Sequence, residues 1–470
     1  MSTATVPVQP ASETPPPAWR YLGLVLAPGI GSYAFNAVTV TLPAVRTDLG
    51  MSDAMLELVV AAYSVPFAVL LIIGGRLGDR FGRHRLFLIG MVAFLMGAIA
   101  CSLAPSVETL LAARAAQGIG VALGSPQVLA VIQATSTGAA RVRAISAFSA
   151  SGGIGSALGQ VIGGTLASAS FGPIAGWRAV YWVAALLAGL AVVLSRFAPR
   201  SVVHEPVAID VAGTVELAVG ILLIISALTF GPALGWSWPI VLALLAGVGM
   251  LVILWQHQSR IERSGRIPLL PPQILRLRPL QLGLTAAGLF FIGFGAVLYV
   301  IPRALDDGLG MTPLESGLTM LPFAAVFTVI SLRLSRIQRR LGDATLMWGV
   351  LIQTIALIGI ALTVLLAWTP QLPWLLQLPL LLLGAGQAMI FSPLTQRVVR
   401  EVPVHSAGLS GGLFGTAQQL SLSLGVILIG GIVASSGWVG QAELAAGVLL
   451  DLVAAVIVFV LSCLLLRRSE

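Results

Sequence analysis

The sequence predicts an all-helical integral membrane protein with about fourteen membrane-spanning helices. Of its 470 residues, 57% are hydrophobic and only 9% are charged, and the mean hydropathy is +0.98. A soluble chain of this length would carry far more charge. Apolar segments of about 20 residues, the length that crosses a bilayer, recur along the whole chain.

The apolar segments divide the chain into five regions. Residues 1–18 form a Pro- and Thr-rich cytoplasmic tail that we expect to be disordered. Six predicted helices fall in residues 19–200 and two more in residues 207–258; residues 259–278 form an arginine-rich cytoplasmic linker, and the last six helices fall in residues 279–466. The predicted helices lie near residues 20–43, 56–75, 86–104, 107–132, 143–168, 177–196, 211–231, 238–256, 280–302, 314–334, 345–368, 372–393, 407–436 and 443–466.

The arginines determine the predicted orientation. All 26 basic residues are arginine, and they concentrate in alternate loops; the other loops hold only Arg46, Arg178 and Arg303. Because arginine-rich loops stay in the cytoplasm, we expect a multi-pass protein of the plasma membrane, the inner membrane of a bacterium, with both termini cytoplasmic. The net charge of +8 is spread over these loops. The expected partner is therefore the lipid bilayer and not a nucleic acid.

Residue clusters suited to catalysis or metal binding are missing from the sequence. His84, His204, His257 and His405 fall in separate places without the spacing of metal ligands. A membrane-embedded enzyme acting on lipids, the main alternative class, would need such a cluster at one membrane face. A phosphate-binding GxxxxGK[ST] loop is missing too, which argues against ATP as the energy source. We therefore expect no enzyme activity, no metal and no cofactor.

The stretch GGRLGDRFGRHR, residues 74–85, joins the second and third predicted helices. Its four glycines, four arginines and single aspartate predict a tight turn in which backbones approach closely. Asp79 precedes Arg83 by one helical turn, a spacing at which the two can pair, and it can also face a helix N-terminus. A loop that only fixes orientation would need the arginines but not the glycines around one acid.

This stretch resembles the signature loop of the major facilitator superfamily, Gly-x-Leu-small-Asp-Arg-x-Gly-Arg. Every position is matched, by Gly75, Leu77, Gly78, Asp79, Arg80, Gly82 and Arg83. The resemblance implies the major facilitator fold, in which two six-helix bundles rock about a cavity at the membrane midplane. With an extra helix pair between the bundles, the chain is similar to the fourteen-helix drug:proton antiporter branch, the EmrB/QacA type.

The resemblance also implies a function. A member of that branch is a secondary active transporter, here expected as a monomer, that exports amphipathic drugs, antibiotics or toxic metabolites by alternating access. The proton gradient would supply the energy. The same resemblance implies that Asp79 faces the N-terminus of predicted helix 407–436. The residues of the implied conformational latch are Gly75, Asp79, Arg80, Gly82 and Arg83.

The fourth predicted helix carries Arg114 and Gln117 in the pattern Arg-x-x-Gln-Gly-x-Gly. This pattern resembles a family motif whose buried arginine is implicated in proton coupling. An arginine in an apolar span is costly unless it faces a polar cavity or a partner, which favours this interpretation. The alternative is a side chain that extends to the outer membrane surface.

The fifth predicted helix repeats glycine every four residues, at Gly155, Gly159 and Gly163, followed by Gly164. It resembles the antiporter signature Gly-x-x-x-Gly-Pro-x-x-Gly-Gly, but Gln160 stands where that signature has proline. Two interpretations stay open at this point, a gating helix and plain close packing of small residues.

The first predicted helix lacks the acid that the resemblance implies. Anchoring the branch's first-helix motif on Leu42 and Pro43 puts Ala34 at the aspartate position and Asn36 at the threonine position. Asp451, about two turns into the last helix, is then the best candidate for a carboxylate that couples transport to protons. The alternative is a facilitator, or an exporter of a neutral or anionic metabolite without proton antiport.

Aromatic side chains on three predicted helices are candidates for a substrate surface, to which Gln117 and Gln387 would add hydrogen-bonding groups. These aromatic residues are Phe35, Phe290, Phe291, Phe294, Tyr299 and Phe391. Taken singly, a phenylalanine in a membrane protein usually faces lipid or fills a helix contact. Their concentration on helices that surround the cavity of the implied fold favours the substrate surface.

Overall fold

The computed structural model describes residues 17–51, 53–167, 170–171, 174–199, 201, 210–231, 236–266, 268–403, 407–436 and 440–466. Within these ranges the chain forms seventeen α-helices, a short 3-10 helix at Ala18–Tyr21 and one two-stranded hairpin. Residues 1–16 of the predicted tail, together with His204 and His405, lie outside the described residues.

The first eight helices are α1 (Leu22–Leu49), α2 (Asp53–Phe81), α3 (Arg83–Ser102), α4 (Val107–Thr135), α5 (Gly138–Ala167), α6 (Gly176–Ser195), α7 (Val211–Phe230) and α8 (Trp238–Arg263). The hairpin strands β1 (Ser170–Phe171) and β2 (Ile174–Ala175) lie between α5 and α6. The remaining helices are α9 (Pro272–Leu275), α10 (Arg278–Leu309), α11 (Pro313–Thr319), α12 (Leu321–Leu341), α13 (Ala344–Leu366), α14 (Leu372–Leu375), α15 (Gln377–Glu401), α16 (Ala407–Ser436) and α17 (Gln441–Leu466).

Twelve helical segments in the described ranges are long and apolar enough to cross a membrane, which is fewer than the predicted fourteen. The predicted extra pair, α7 and α8, is among the twelve. The helices α5 and α16 are each 30 residues long but are not among them. α5 is rich in glycine, alanine and serine, which are less apolar than leucine, isoleucine and valine.

The long helices pack in two groups of six. In the first group α1 lies against α5 and α6, α3 lies against α4 and α6, and α2 lies against α4. In the second group α10 packs on α16 and α17, α13 packs on α15 and α17, and α12 packs on α15. The groups meet chiefly where α2 and α4 contact α16 and where α5 contacts α12. The pair α7 and α8 adjoins the first group through α2.

Most of the signature stretch is helical, so the predicted tight turn over residues 74–85 is wrong. α2 continues through Gly75 and Asp79 to Phe81, and α3 begins at Arg83. Only Gly82 departs from the helical conformation, with φ at 96°, a value that favours glycine. Gly82 alone therefore separates α2 from α3. We call the end of the molecule that contains Gly82 the Asp79 end.

The linker between the two groups is bonded to α2 and α8 at the Asp79 end. Arg76 donates from Nε to the carbonyl oxygen of Leu269 at 2.7 Å and from Nη2 to that of Pro268 at 3.0 Å. Gln258 of α8 donates to Asp210 Oδ2 at 2.6 Å, and its Oε1 accepts from the backbone N–H of Leu270 at 3.1 Å. The observed linker is shorter than the predicted range 259–278, because α8 continues to Arg263.

Candidate functional site: the contact between the two helix groups

Asp79 lies where the two groups of helices meet, and it is fully buried. Its Oδ1 accepts from Arg83 Nη2 at 2.9 Å, from Arg83 Nε at 3.2 Å and from the backbone N–H of Gly408 at 3.0 Å. Gly408 is the second residue of α16, so this N–H has no acceptor within its own helix. The carboxylate therefore satisfies and neutralises the positive end of α16.

Gly75 and Gly408 allow α2 and α16 to approach closely beside this bond. A Cβ atom on either residue would collide with the carbonyl oxygen of the other. A Cβ on Gly412, one turn further along α16, would lie 2.7 Å from the Cα of Ile72. Larger residues at these positions would force the two helices apart.

Gln133 forms a second polar contact between the groups, which the sequence did not predict. Its Nε2 on α4 donates to the carbonyl oxygens of Val399 at 2.8 Å and Val402 at 2.6 Å. Its Oε1 accepts from Ser410 Oγ at 2.8 Å. One amide thus joins the end of α15 and the beginning of α16 to the first group. The only sequence signal was a glutamine closing the apolar run 128–132.

Four of the five predicted latch residues lie at this contact or shape the turn beside it. Arg83 is buried and pairs with Asp79, Gly75 touches α16, and Gly82 forms the reversal. Arg80 is different, because its side chain is exposed and its guanidinium lies 5.3 Å from the centre of the Phe81 ring. The structure therefore does not bring Arg80 to the contact.

Arg114 is fully buried within the first group, so its side chain does not extend to the surface. Its Nε donates to the carbonyl oxygen of Val59 at 3.2 Å, and its Nη1 to Gln117 Oε1 at 3.1 Å and to the carbonyl oxygen of Ala34 at 3.4 Å. The guanidinium lies 4.4 Å from the centre of the Tyr63 ring. Among the described residues no carboxylate pairs with Arg114, and its Nη2 has no acceptor.

Asp451 of α17 is fully buried in the second group. Its Oδ1 accepts from Gln353 Nε2 at 2.9 Å, and a Cβ on Gly293 of α10 would collide with its carboxyl group. Within the part of the chain that the structure describes, Oδ2 has no donor and no arginine pairs with the group. A carboxylate is costly in such a place without a cationic partner, whereas a carboxylic acid is neutral.

The glycines of α5 pack on α1 with a four-residue spacing on both helices. The contacting pairs are Gly155 with Gly29, Gly159 with Tyr33, and Gly163 with Ala37, and Gly164 follows on α5. This is close packing of small residues inside one group. Gln160 lies instead beside Gly317 of α11, across the boundary between the groups.

Seven phenylalanines of the second group form one ring cluster, the phenylalanine cluster, with ring centres 5.0–6.4 Å apart. Its members are the predicted Phe290, Phe291, Phe294 and Phe391 and the unpredicted Phe323, Phe327 and Phe414. The cluster reaches the first group where Phe327 lies against Gly153 of α5. Gln387, one turn before Phe391, is buried, and neither end of its amide has a partner among the described residues.

Three predicted cavity residues lie apart from this cluster. Phe35 of α1 makes no ring contact with any described aromatic residue and is only partly buried. Asn36 donates to the carbonyl oxygen of Ser32 in its own helix at 2.9 Å. The hydroxyl of Tyr299 accepts from Arg303 Nη1 at 3.3 Å. The apolar pattern predicted the helices that carry these residues, but not which faces of those helices contact the other helices.

Comparison with known proteins supplies the family. A family model described as Major Facilitator Superfamily matches residues 24–213 and 211–426. The chain belongs to the Major Facilitator Superfamily. It is therefore a multi-pass membrane transporter of a small molecule and not an enzyme, and the predicted fold class is confirmed at the level of the superfamily.

This superfamily member is similar to named bacterial proteins over most of its length. It is 32% identical over 432 residues to the "Probable actinorhodin transporter" of Streptomyces coelicolor, covering 88% of this chain and 73% of that one. It is 32% identical over 435 residues to the "Puromycin resistance protein pur8" of Streptomyces alboniger, covering 91% and 84%. The solved human organic anion transporter MFSD10 matches with a TM-score of 0.67 at 17% identity, covering 94% and 100%; at that identity the match shows the fold alone.

Proposed function

We propose that this transporter exports amphipathic aromatic compounds, such as antibiotics, by alternating access. The phenylalanine cluster carries the proposal, because it offers ring faces and edges where the two helix groups meet. A flat aromatic molecule can replace ring contacts within it, and the unpartnered amide of Gln387 can bond to a polar group of that molecule. The names of the relatives, which include a "Tetracenomycin C resistance and export protein" that is 31% identical, support antibiotics as substrates.

The two groups of helices serve as the moving halves, residues 19–200 and 279–466. The bonds of Asp79 and Gln133 hold these halves together at the Asp79 end, and alternating access requires that they break and re-form. The arginine distribution supports a cytoplasmic location for this end and for both termini. We also infer that α5 and α16 cross the membrane together with the twelve candidate spans, as in the fourteen-helix branch.

Asp451 is the proposed proton carrier. Its carboxyl group touches α10 at Gly293, between two residues of the phenylalanine cluster, Phe291 and Phe294. Gain or loss of a proton there changes a buried charge beside the helix that supplies three of the seven rings. This contact offers a direct path between protonation and the substrate surface.

The test uses everted vesicles that contain a pH-sensitive dye. In the parent we expect added aromatic antibiotic to cause proton movement, and in Asp451→Asn we expect this signal to disappear while protein abundance is retained. Asp306→Asn removes an exposed acid from the same helix group and should behave as the parent. Export of labelled antibiotic without any pH change in the parent would exclude proton antiport and leave the export proposal standing.

The surroundings of Arg114 favour one alternative, transport of an anionic metabolite without proton antiport. Ala34 contributes only a carbonyl oxygen to this guanidinium, so a buried positive charge is left without a counter-ion among the described side chains. An anionic substrate would supply that counter-charge. Movement of a labelled anion without pH change, retained in Asp451→Asn and lost in Arg114→Gln, would support this alternative.

A further inference from the structure

A basic groove lies on α8, away from the contact between the halves. It has a volume of about 550 Å³ and is lined by Trp255, Gln256, Ser259, Arg260, Glu262, Arg263 and Arg276. Arg276 comes from the linker, directly after α9, and the other residues belong to the last turns of α8. We propose that this groove binds the phosphate of an anionic lipid head group.

The position of the groove along α8 matches the depth of lipid head groups. Only 11% of the apolar window of α8 is buried in the protein, so this helix faces lipid. Trp238 and Trp255, both exposed, are separated by 17 residues, or about 26 Å of helix. That length is close to the hydrocarbon thickness of about 30 Å, and tryptophan favours both membrane interfaces. Ser259 and Arg260 follow one turn beyond Trp255 and therefore lie at the head-group level.

The charges of the groove are free to bind an anion. Three arginines and one glutamate line it, which leaves a formal charge of +2. In the described structure none of Arg260, Arg263 and Arg276 makes an ion pair; Arg263 Nε donates to the carbonyl oxygen of Ser259 at 3.1 Å. The carboxylate of Glu262 instead accepts from the backbone N–H of Gln273 at 3.1 Å. Guanidinium groups in such an arrangement suit the oxygens of a phosphate.

A buried hydroxyl supplies independent support. Ser259 is 9% exposed, lines the groove, and its Oγ has no hydrogen-bond partner among the described residues. Leaving such a group unbonded costs free energy, and a phosphate oxygen would accept a hydrogen bond from it. The hydroxyl and the guanidinium groups line the same groove, so they can bind the same anion.

The apolar surroundings distinguish a lipid from free phosphate. Val252 and Trp255 are exposed on the same part of α8, where acyl chains of a bound lipid would continue. The guanidinium of Arg276 lies 5.6 Å from the centre of the Trp255 ring, so a bound lipid would also bridge α8 and the linker. Arg76 bonds the same linker to α2. The lipid would therefore steady the connection between the two halves.

Native mass spectrometry of the full chain in neutral detergent tests the proposal. The probes are phosphatidylglycerol, phosphatidylcholine, inorganic phosphate and glycerol phosphate. We expect phosphatidylglycerol to bind to the parent in preference to phosphatidylcholine and to bind roughly tenfold or more weakly to Arg260→Gln/Arg263→Gln, given the usual attraction of each arginine to anionic lipid. Arg333→Gln/Arg336→Gln removes the same charge at the same spacing from the exposed end of α12, and it should bind as the parent does.

Each outcome of this experiment either supports or overturns the lipid site. Equal loss in both double variants would show general surface charge and overturn the site. Displacement of the lipid by glycerol phosphate or inorganic phosphate at similar concentrations would assign the groove to a free phosphate and overturn the lipid. Ser259→Ala keeps every charge, so weaker lipid binding in this variant supports the site even if the double variant fails to fold. Unchanged binding in Ser259→Ala and in Arg276→Gln would overturn it.

Discussion

The side chain of Gln133 on α4 accepts a hydrogen bond from Ser410 Oγ on α16 at 2.8 Å, and its amide nitrogen bonds two carbonyl oxygens at the end of α15. Asp79 bonds the same beginning of α16 from α2. Two helices of the first half thus hold one helix N-terminus of the second half. Both contacts lie at the same end of the molecule, so they must open together.

Gln133→Leu should favour the state that is open at the Asp79 end. The change removes three hydrogen bonds of about 1 kcal/mol each, enough to shift the equilibrium by roughly tenfold or more. The reporter is Ser392→Cys in a Cys101→Ala/Cys463→Ala background, because Ser392 is buried and its Oγ lies 3.5 Å from that of Ser146 across the boundary. Modification by an impermeant maleimide in everted vesicles should accelerate.

A matched control lies on the same helix. Gln127 is buried on α4, but its amide bonds the carbonyl oxygens of Gly74 and Leu123, both within the first half. Gln127→Leu should lower stability without changing the reactivity of the Ser392→Cys reporter. Equal acceleration by both variants would mean that loosened packing, and not the contact between halves, controls access.

Asp79→Asn should also accelerate modification of the Ser392→Cys reporter. The variant keeps the size of the side chain. It loses the negative charge that pairs with Arg83 and neutralises the positive end of α16. A charge-assisted bond contributes about 1.5–3 kcal/mol, so a shift of roughly tenfold is expected. Asp343→Asn is the control. Asp343 is a largely exposed acid of the second half, and its Oδ1 lies 3.7 Å from Arg397 Nη2. An unchanged labelling rate in Asp79→Asn argues against a latch.

Gly408→Ala should act in the same direction for a steric reason. The added Cβ would collide with the carbonyl oxygen of Gly75 and approach Asp79 Oδ2 to 2.7 Å, so the Asp79 end cannot close fully. We expect loss of antibiotic export with normal membrane insertion. Gly189→Ala on α6 meets nothing within 4 Å and should export normally. Normal export by Gly408→Ala would show that this close approach is not needed.

The sequence predicted which segments cross the membrane better than it predicted which faces meet. Apolar runs predicted the long helices. The predicted linker was nevertheless too long, because the polar residues after Trp255 continue α8 as a helix. The predicted single helix 314–334 is divided into α11 and α12 at Met320, two residues before Pro322, which cannot donate a backbone hydrogen bond. Asp79 was found because a spaced motif surrounds it. Gln133 has no such motif, and its partners are more than 260 residues away.

Ala34→Asp should restore the acid that the resembled branch carries in its first helix. Arg114 Nη1 lies 3.4 Å from the carbonyl oxygen of Ala34, so a carboxylate at this position can pair with the guanidinium. We expect the variant to move cationic dyes into everted vesicles several-fold faster than the parent, whereas the neutral Ala34→Asn does not. Equal behaviour of the two variants would indicate that charge at this position does not select the substrate.

Gln387→Leu should reduce antibiotic export without reducing the stability of the protein. The amide is 1% exposed and neither of its polar atoms has a partner among the described residues. Removing an unbonded buried amide relieves a penalty of about 1–3 kcal/mol, so the melting temperature should stay equal or rise. Export of antibiotics with hydrogen-bonding groups should nevertheless fall, because the phenylalanine cluster loses its neighbouring polar group. Gln353→Leu breaks the bond to Asp451 and should instead change the pH dependence of export. A fall in stability of Gln387→Leu would show that its amide is bonded inside the folded protein and is not held ready for substrate.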